Sequence, residues 1–110
     1  MQTFDVVSVP FPYVERPVTK RRPAVVISGD TLARDNGLLW VSMITSSENA
    51  GWPGDIEISD TGTAGLKHSS VIRPAKLATV EAASVKTIGK LEPTVAKELQ
   101  KQIAAYLGAS

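Results

Sequence analysis

Leu38-Leu-Trp-Val-Ser-Met-Ile-Thr45 sets Trp40, Ser42 and Ile44 on one side of an extended chain and Val41, Met43 and Thr45 on the other. That two-residue period predicts a β-strand over 38–45. Toward the N-terminus, the apolar run Pro23-Ala-Val-Val-Ile27 predicts a buried strand. Phe4 to Val9, where Asp5 and Ser8 interrupt the valines, predicts a first strand with one face partly wet. Between these two, Pro10, Pro12 and Pro17 end the first strand, and Pro10 to Lys20 reads as a long loop carrying Phe11 and Tyr13. Gly29 to Gly37 is polar, a turn or one short helical turn. Toward the C-terminus come a polar stretch from Ser46 to Gly54, a short alternating strand at Asp55 to Ser59, and a glycine-rich loop to Lys67. Val71 to Pro74 and Lys76 to Val80 read as two short strands joined or bent at Pro74.

The tail changes period. Val95, Leu99, Ile103 and Leu107 follow one another at spacings of four, with Lys97, Glu98, Gln100 and Lys101 on the other side. This is an amphipathic helix, with Pro93 in its first turn and Gly108 at its end. Short strands, long loops and one terminal helix predict a mainly β protein with a C-terminal helix, built on a small, strongly bent sheet or partly open barrel. A chain of 110 residues forms one domain, 1–110, able to bury a core of its own.

Composition removes several classes of chemistry. Cysteine is absent, so disulfides, thiolate metal sites and a cysteine nucleophile are excluded, and a reducing interior suits the chain. With a single histidine, a zinc site would need carboxylates almost throughout, and no pair of histidines can share acid and base roles within one chain. No metal or other cofactor is expected. No apolar run is long enough to span a bilayer and MQTFDVV lacks a signal-peptide pattern, so a cytoplasmic protein without membrane contact is expected. Net charge is +1, so polyanion binding would have to come from a local patch. Lys20, Arg21 and Arg22 form the basic triplet that could supply it.

The sequence contains no phosphate loop, dinucleotide-binding turn, HExxH or GxSxG. Asp55, Glu57 and Asp60 read as a solvated face rather than a metal site. Lys20-Arg-Arg-Pro23 stands at the mouth of one strand and Ile44-Thr-Ser-Ser47 at the end of the next. If these strands pair, guanidinium groups and hydroxyls could face one groove and act on a phosphate without metal. The alternative is that charges end an apolar strand and Thr45-Ser-Ser47 begins a polar turn. A second constellation, Gly65-Leu-Lys-His-Ser-Ser-Val-Ile-Arg-Pro74, gathers Lys67, His68 and Arg73. An imidazole suits proton transfer near neutrality, so His68 is either a general base or simply polar loop surface. Arg73 is an ordinary strand-end charge unless it meets the first groove.

Taken in order, DVVSVPFP at 5–12, KRRPAVVIS at 20–28, ITSS at 44–47, GLKHSSVIRPAKLATV at 65–80 and Gly89-Lys-Leu91 resemble the MazF/PemK toxins of bacterial toxin–antitoxin systems, nearly end to end. The resemblance implies a small SH3-like, CcdB/MazF-type barrel with an appended helix, working as a homodimer. It also implies a metal-independent endoribonuclease that cuts single-stranded RNA, an mRNA interferase, held inactive by a cognate antitoxin. The matching positions for catalysis are Arg22 and Thr45, with Arg73 taking part in some members. Where some relatives carry an aspartate two residues after the later arginine, this chain has Ala75, and the loop 10–20 lacks the histidine that some carry. The arginine–threonine form of the site therefore fits better. In that form Lys20, Arg21, Ser46, Ser47, Lys67 and Arg73 would hold the RNA backbone, and Tyr13 or Trp52 could stack its bases. Trp52 could instead pack its loop onto the barrel or belong to a dimer or antitoxin interface, the last being preferred. The identity of the base stays open between His68 and solvent. The rival reading is a CcdB-like toxin that poisons DNA gyrase by contact.

Overall fold

The computed structural model describes residues 1–11 and 20–108; Tyr13, Pro12 and Pro17 lie outside the described residues. The described elements are β1 (Asp5–Phe11), β2 (Lys20–Val26), α1 (Asp30–Asn36), β3 (Leu38–Ser46), β4 (Ile56–Glu57), β5 (Ser70–Glu81), β6 (Lys86–Lys90) and α2 (Pro93–Tyr106), with single 3-10 turns at Ser47–Asn49 and Ala82–Ser84. The strands form one antiparallel sheet in the order β4-β5-β3-β2-β1-β6. The expected mainly β fold with a C-terminal helix is what the chain adopts.

A flat sheet with one wet face buries every second residue. Here Val6 and Val7 are both fully buried, as are Val25 and Val26. The sheet therefore curls into a half-barrel with apolar clusters on both faces. One cluster joins Val6, Val25, Ile44, Ile56 and Ile72 to Val95 and Leu99 of α2. The other gathers Val7, Val9, Ala24, Val26, Val41 and Met43 around Val85. The bend is localised in β5. Ser42 pairs with Leu77 but Met43 pairs with Arg73, so Pro74, Ala75 and Lys76 bulge from the ladder. Ser42 Oγ closes the bulge by donating to the Arg73 carbonyl at 2.9 Å.

Several boundaries differ from expectation, each for a local reason. β1 continues through Pro10 because its ladder with β6 ends at Ser8, leaving an edge where a missing N–H goes unneeded. β2 starts at Lys20, so the basic triplet is part of the strand rather than its entrance. Residues 71–80 form one bent strand instead of two, and the Asp55 to Ser59 strand shrinks to Ile56–Glu57. Helix α1 has seven residues, with Gly37 at φ 67° closing it. Helix α2 keeps Pro93 in its first turn and buries Val95, Ala96 and Leu99, but it ends at Tyr106. Leu107, placed by period on the core side, is therefore exposed. β6 has little apolar alternation to reveal it. Its Gly89 is set by close approach, since a Cβ there would collide with the backbone of Thr63 and Ala64.

Candidate active site

β2 and β3 are joined only from Ala24↔Met43 to Val26↔Val41. Continued two residues further, that register sets Arg22 opposite Thr45. Beyond the last pair the strands part, and the gap between them is a cleft of about 260 Å³ lined by Arg22, Pro23, Ile44, Thr45, Ser46, Asn49, Leu66, Lys67, His68 and Ser70. It is smaller than the ~300–1,000 Å³ sites that enclose small molecules. A larger cavity of about 470 Å³ beside Ile27, Leu32, Trp40 and Leu107 has no titratable side chain in its walls. The smaller cleft, by contrast, has Arg22, Lys67 and His68 in its walls.

Five of the residues singled out in the sequence, Arg22, Thr45, Ser46, Lys67 and His68, thus share one cleft. The loop 58–69 brings Lys67 and His68 to the lining of this cleft. It is anchored by Ile58 N donating to Ser70 O at 3.0 Å and Ser47 N donating to Ser69 O at 2.9 Å. The others go elsewhere. Successive strand residues point to opposite sides, so Arg21 leaves Arg22 and donates to Ser8 Oγ at 2.9 Å, Ser8 O at 2.8 Å and Ser84 O at 3.1 Å. Lys20, paired with Phe11, is exposed outside the cleft. Ser47 does not line it, and its Oγ is buried without a hydrogen-bond partner among the described residues.

Arg73 points away from the cleft into a clamp behind it. Its Nε donates to Asp55 Oδ1 at 3.1 Å, and one terminal nitrogen donates to Asp55 Oδ2 at 3.0 Å and to the Asn49 carbonyl at 2.7 Å. The two side chains are only 10% and 8% exposed. Trp52 lies over the guanidinium, 4.2 Å from carbon to ring centroid, so one of its faces packs the loop onto the sheet. Asp55 also accepts from the backbone N–H groups of Gly51 and Trp52, both at 3.2 Å. Its reading as part of a solvated acidic face is thereby corrected, while Glu57 and Asp60 are exposed. No local signal reveals the pair, because its members are 18 residues apart and meet only through the curl of the sheet. Asn49 was likewise without a sequence signal. Its Nδ2 donates to Thr45 Oγ1 at 3.2 Å.

The Arg73 hydrogen bonds hold the Asp55 carboxyl below its ordinary value of 3.8, against the opposing effect of burial and with help from the two backbone donors. The same pairing raises Arg73. A lowered carboxyl contributes stability above the unfolded-state value and loses it as pH falls through the lower, folded-state one. Asp60, lowered mainly by the Thr63 N–H and hydroxyl, acts in the same direction. Melting the protein from pH 7 downward should therefore show a fall in Tm that sets in near pH 4. Asp55→Asn should start lower at pH 7 and fall less; an unchanged acid limb in that variant would mean the clamp adds nothing.

Residues 2–107 match the family model of the PemK-like, MazF-like toxin of type II toxin–antitoxin systems. The chain belongs to that family. Solved structures agree on the fold of this toxin. A MazE–MazF crystal structure from Deinococcus radiodurans superposes with a TM-score of 0.78 at 20% identity, covering 100% of this chain and 97% of that one. MazF from the same organism gives 0.75 at 22% identity, with 98% and 96% covered. An endoribonuclease from a mycobacterial species in complex with its cognate antitoxin gives 0.77 at 12% identity, with 100% and 95% covered. No curated protein matches the chain. Among the described residues there is no group of three or more histidine or acidic side chains that could hold a metal ion, and no helix long and apolar enough to cross a membrane.

Proposed function

We propose that this toxin is a cytoplasmic endoribonuclease that cuts single-stranded RNA in the cleft between β2 and β3. The observation that carries this reading is that Arg22 and Thr45 line one cleft together with Lys67 and His68. Attack by a 2′-OH on the adjacent phosphorus forms the 2′-O–P bond and breaks the P–O5′ bond. Three things must be supplied: removal of the hydroxyl proton, stabilisation of charge on the non-bridging oxygens, and a proton for the departing 5′-oxygen. Arg22 is suited to the second task, because its planar fork can grip two phosphate oxygens at once. A guanidinium holds its protons too tightly to be an efficient acid. His68 takes the 2′-OH proton in this reading and returns it, directly or through water, to the 5′-oxygen. Thr45 supplies a hydroxyl that orients the reacting linkage. Lys67 and Ser46 hold the flanking backbone, Lys67 by a salt-sensitive contact. Arg21 and Lys20 lie outside the cleft and would touch only RNA that leaves it, while Arg73 is buried in its clamp.

A cleft lined by Arg22, Lys67 and hydroxyl side chains suits the backbone of an unpaired strand, whose bases can splay outward. The toxin would act as a homodimer. Trp40, Leu77 and Leu107 are 49%, 45% and 68% exposed and border adjoining hollows, an apolar surface of the kind a second copy would cover. A cognate antitoxin would silence the enzyme by occupying the cleft or its rim.

The test is incubation of the purified toxin with a long single-stranded RNA in EDTA. Fragments ending in a 5′-OH and a 2′,3′-cyclic phosphate are expected. Intact RNA at every protein excess would favour a toxin that acts by protein contact, as gyrase-directed toxins of the CcdB type do.

A further inference from the structure

We propose that Asn49 is a positioning residue for Thr45, fixing the direction in which the threonine hydroxyl offers its hydrogen; this rests on the reading of the cleft as an RNA-cleaving site. A hydroxyl has one hydrogen and two lone pairs, and it rotates to suit its neighbours. Asn49 Nδ2 donates to Thr45 Oγ1 at 3.2 Å, occupying one lone pair. The hydrogen must then point away from Asn49. Thr45 and Asn49 both line the cleft, so the hydrogen is left for an acceptor brought in by a substrate, such as a non-bridging phosphate oxygen. Thr45 becomes a donor to the reacting group before RNA arrives, and that orientation need not be found anew in each turnover.

An exposed asparagine at the end of a turn would hold nothing in place unless it were held itself. Asn49 closes the 3-10 turn that follows β3, and its carbonyl accepts from Arg73 at 2.7 Å. Arg73 is locked in turn by the two hydrogen bonds it donates to Asp55 and by the Trp52 ring. Asp55 gathers the Gly51 and Trp52 N–H groups within the loop, and Arg73 ties the loop 49–55 to β5 through the Asn49 carbonyl, the Asp55 carboxylate and the Trp52 ring. A rigid clamp behind the cleft thus presents one amide at its wall. This gives Arg73 and Asp55 work in the site although neither touches the cleft.

The experiment is a double-mutant cycle on kcat and KM for RNA cleavage. Asn49→Leu removes the donor without adding charge and leaves the carbonyl that Arg73 holds. It should lower kcat about 10-fold, the size of one hydrogen bond, and change KM by less than about 2-fold. In a Thr45→Val background the same substitution should change kcat by less than about 2-fold, because its effect passes through the lost hydroxyl. Asn49→Gln, which keeps the donor, should recover most of the loss, and this comparison decides the matter if Thr45→Val cuts too slowly to follow. An unchanged kcat in Asn49→Leu, an equal loss in both backgrounds, a change in KM alone, or no recovery with glutamine would overturn the proposal. If Arg22→Ala abolishes cutting while Asn49→Leu is silent, only this inference fails; if the wild-type toxin does not cut, the reading of the cleft fails and takes the inference with it.

Discussion

If Arg22 stabilises the transition state as proposed, replacing it with alanine should lower RNA cleavage by on the order of 100-fold or more, the usual cost of losing a group aimed at developing charge. The loss should appear mainly in kcat, because the guanidinium meets more negative charge in the transition state than in the bound substrate. Folding should hardly change. Arg22 is exposed and has no ion-pair partner among the described residues, and an exposed charge of that kind contributes little stability. Arg22→Lys separates charge from geometry: a point charge without the fork should recover only part of the rate. Cleavage rates beside a thermal melt of each variant check both halves. Wild-type kcat in Arg22→Ala would leave the site without its stabilising cation.

Arg73→Ala behaves in the opposite way, with the fold carrying the damage. The substitution leaves the Asp55 carboxylate, 8% exposed, with two backbone donors and no cation. Removing one partner of a buried pair costs far more than removing an exposed charge, because the other partner stays desolvated and uncompensated. In a chain of this size Tm should drop by on the order of 10 °C. The Asn49 carbonyl and the Trp52 ring lose their common anchor in the same step. Activity should fall along with stability, in contrast to Arg22→Ala, where activity falls alone. A double replacement, Arg73→Leu with Asp55→Leu, removes both charges and should regain much of the Tm without regaining the clamp on Asn49. If Arg73→Ala melts like the wild type but fails to cut, Arg73 meets the RNA itself, and its burial behind the loop is not what matters.

The contrast between these two arginines marks how far the sequence could be read. Both stand beside a proline, Pro23 and Pro74, and both fall within the blocks that resemble the toxin family. The placing of Arg22 and Thr45 in one cleft was legible because Thr45 lies near the end of the neighbouring strand, and strands adjacent in sequence usually pair. The hydrophobic alternation of β3 and the four-residue spacing in α2 were legible for the same reason, since each is set by which face of a local element meets the core. The clamp was hidden. Asp55 meets Arg73 only after the sheet has curled at the Pro74 bulge, and no spacing along the chain encodes that meeting. Divergence of Arg21 from Arg22 follows from strand alternation, but only once β2 is seen to start at Lys20 rather than at Pro23. Pro10 misled because a proline looks like a strand end wherever a second ladder is assumed, and β1 has lost its ladder with β6 by that point. Asn49 lies in a polar turn whose composition says nothing about which amide will turn inward.

The most direct measurement is a crystal structure of the toxin bound to an RNA with a single 2′-deoxy nucleotide at the cut position, which lacks the attacking hydroxyl. The account predicts the scissile phosphate inside the β2–β3 cleft, within hydrogen-bonding distance of the Arg22 guanidinium and Thr45 Oγ1, with the 2′ position turned toward His68. RNA seated on the Arg21 face, or running through the cleft with every phosphate beyond the reach of Arg22, would contradict it.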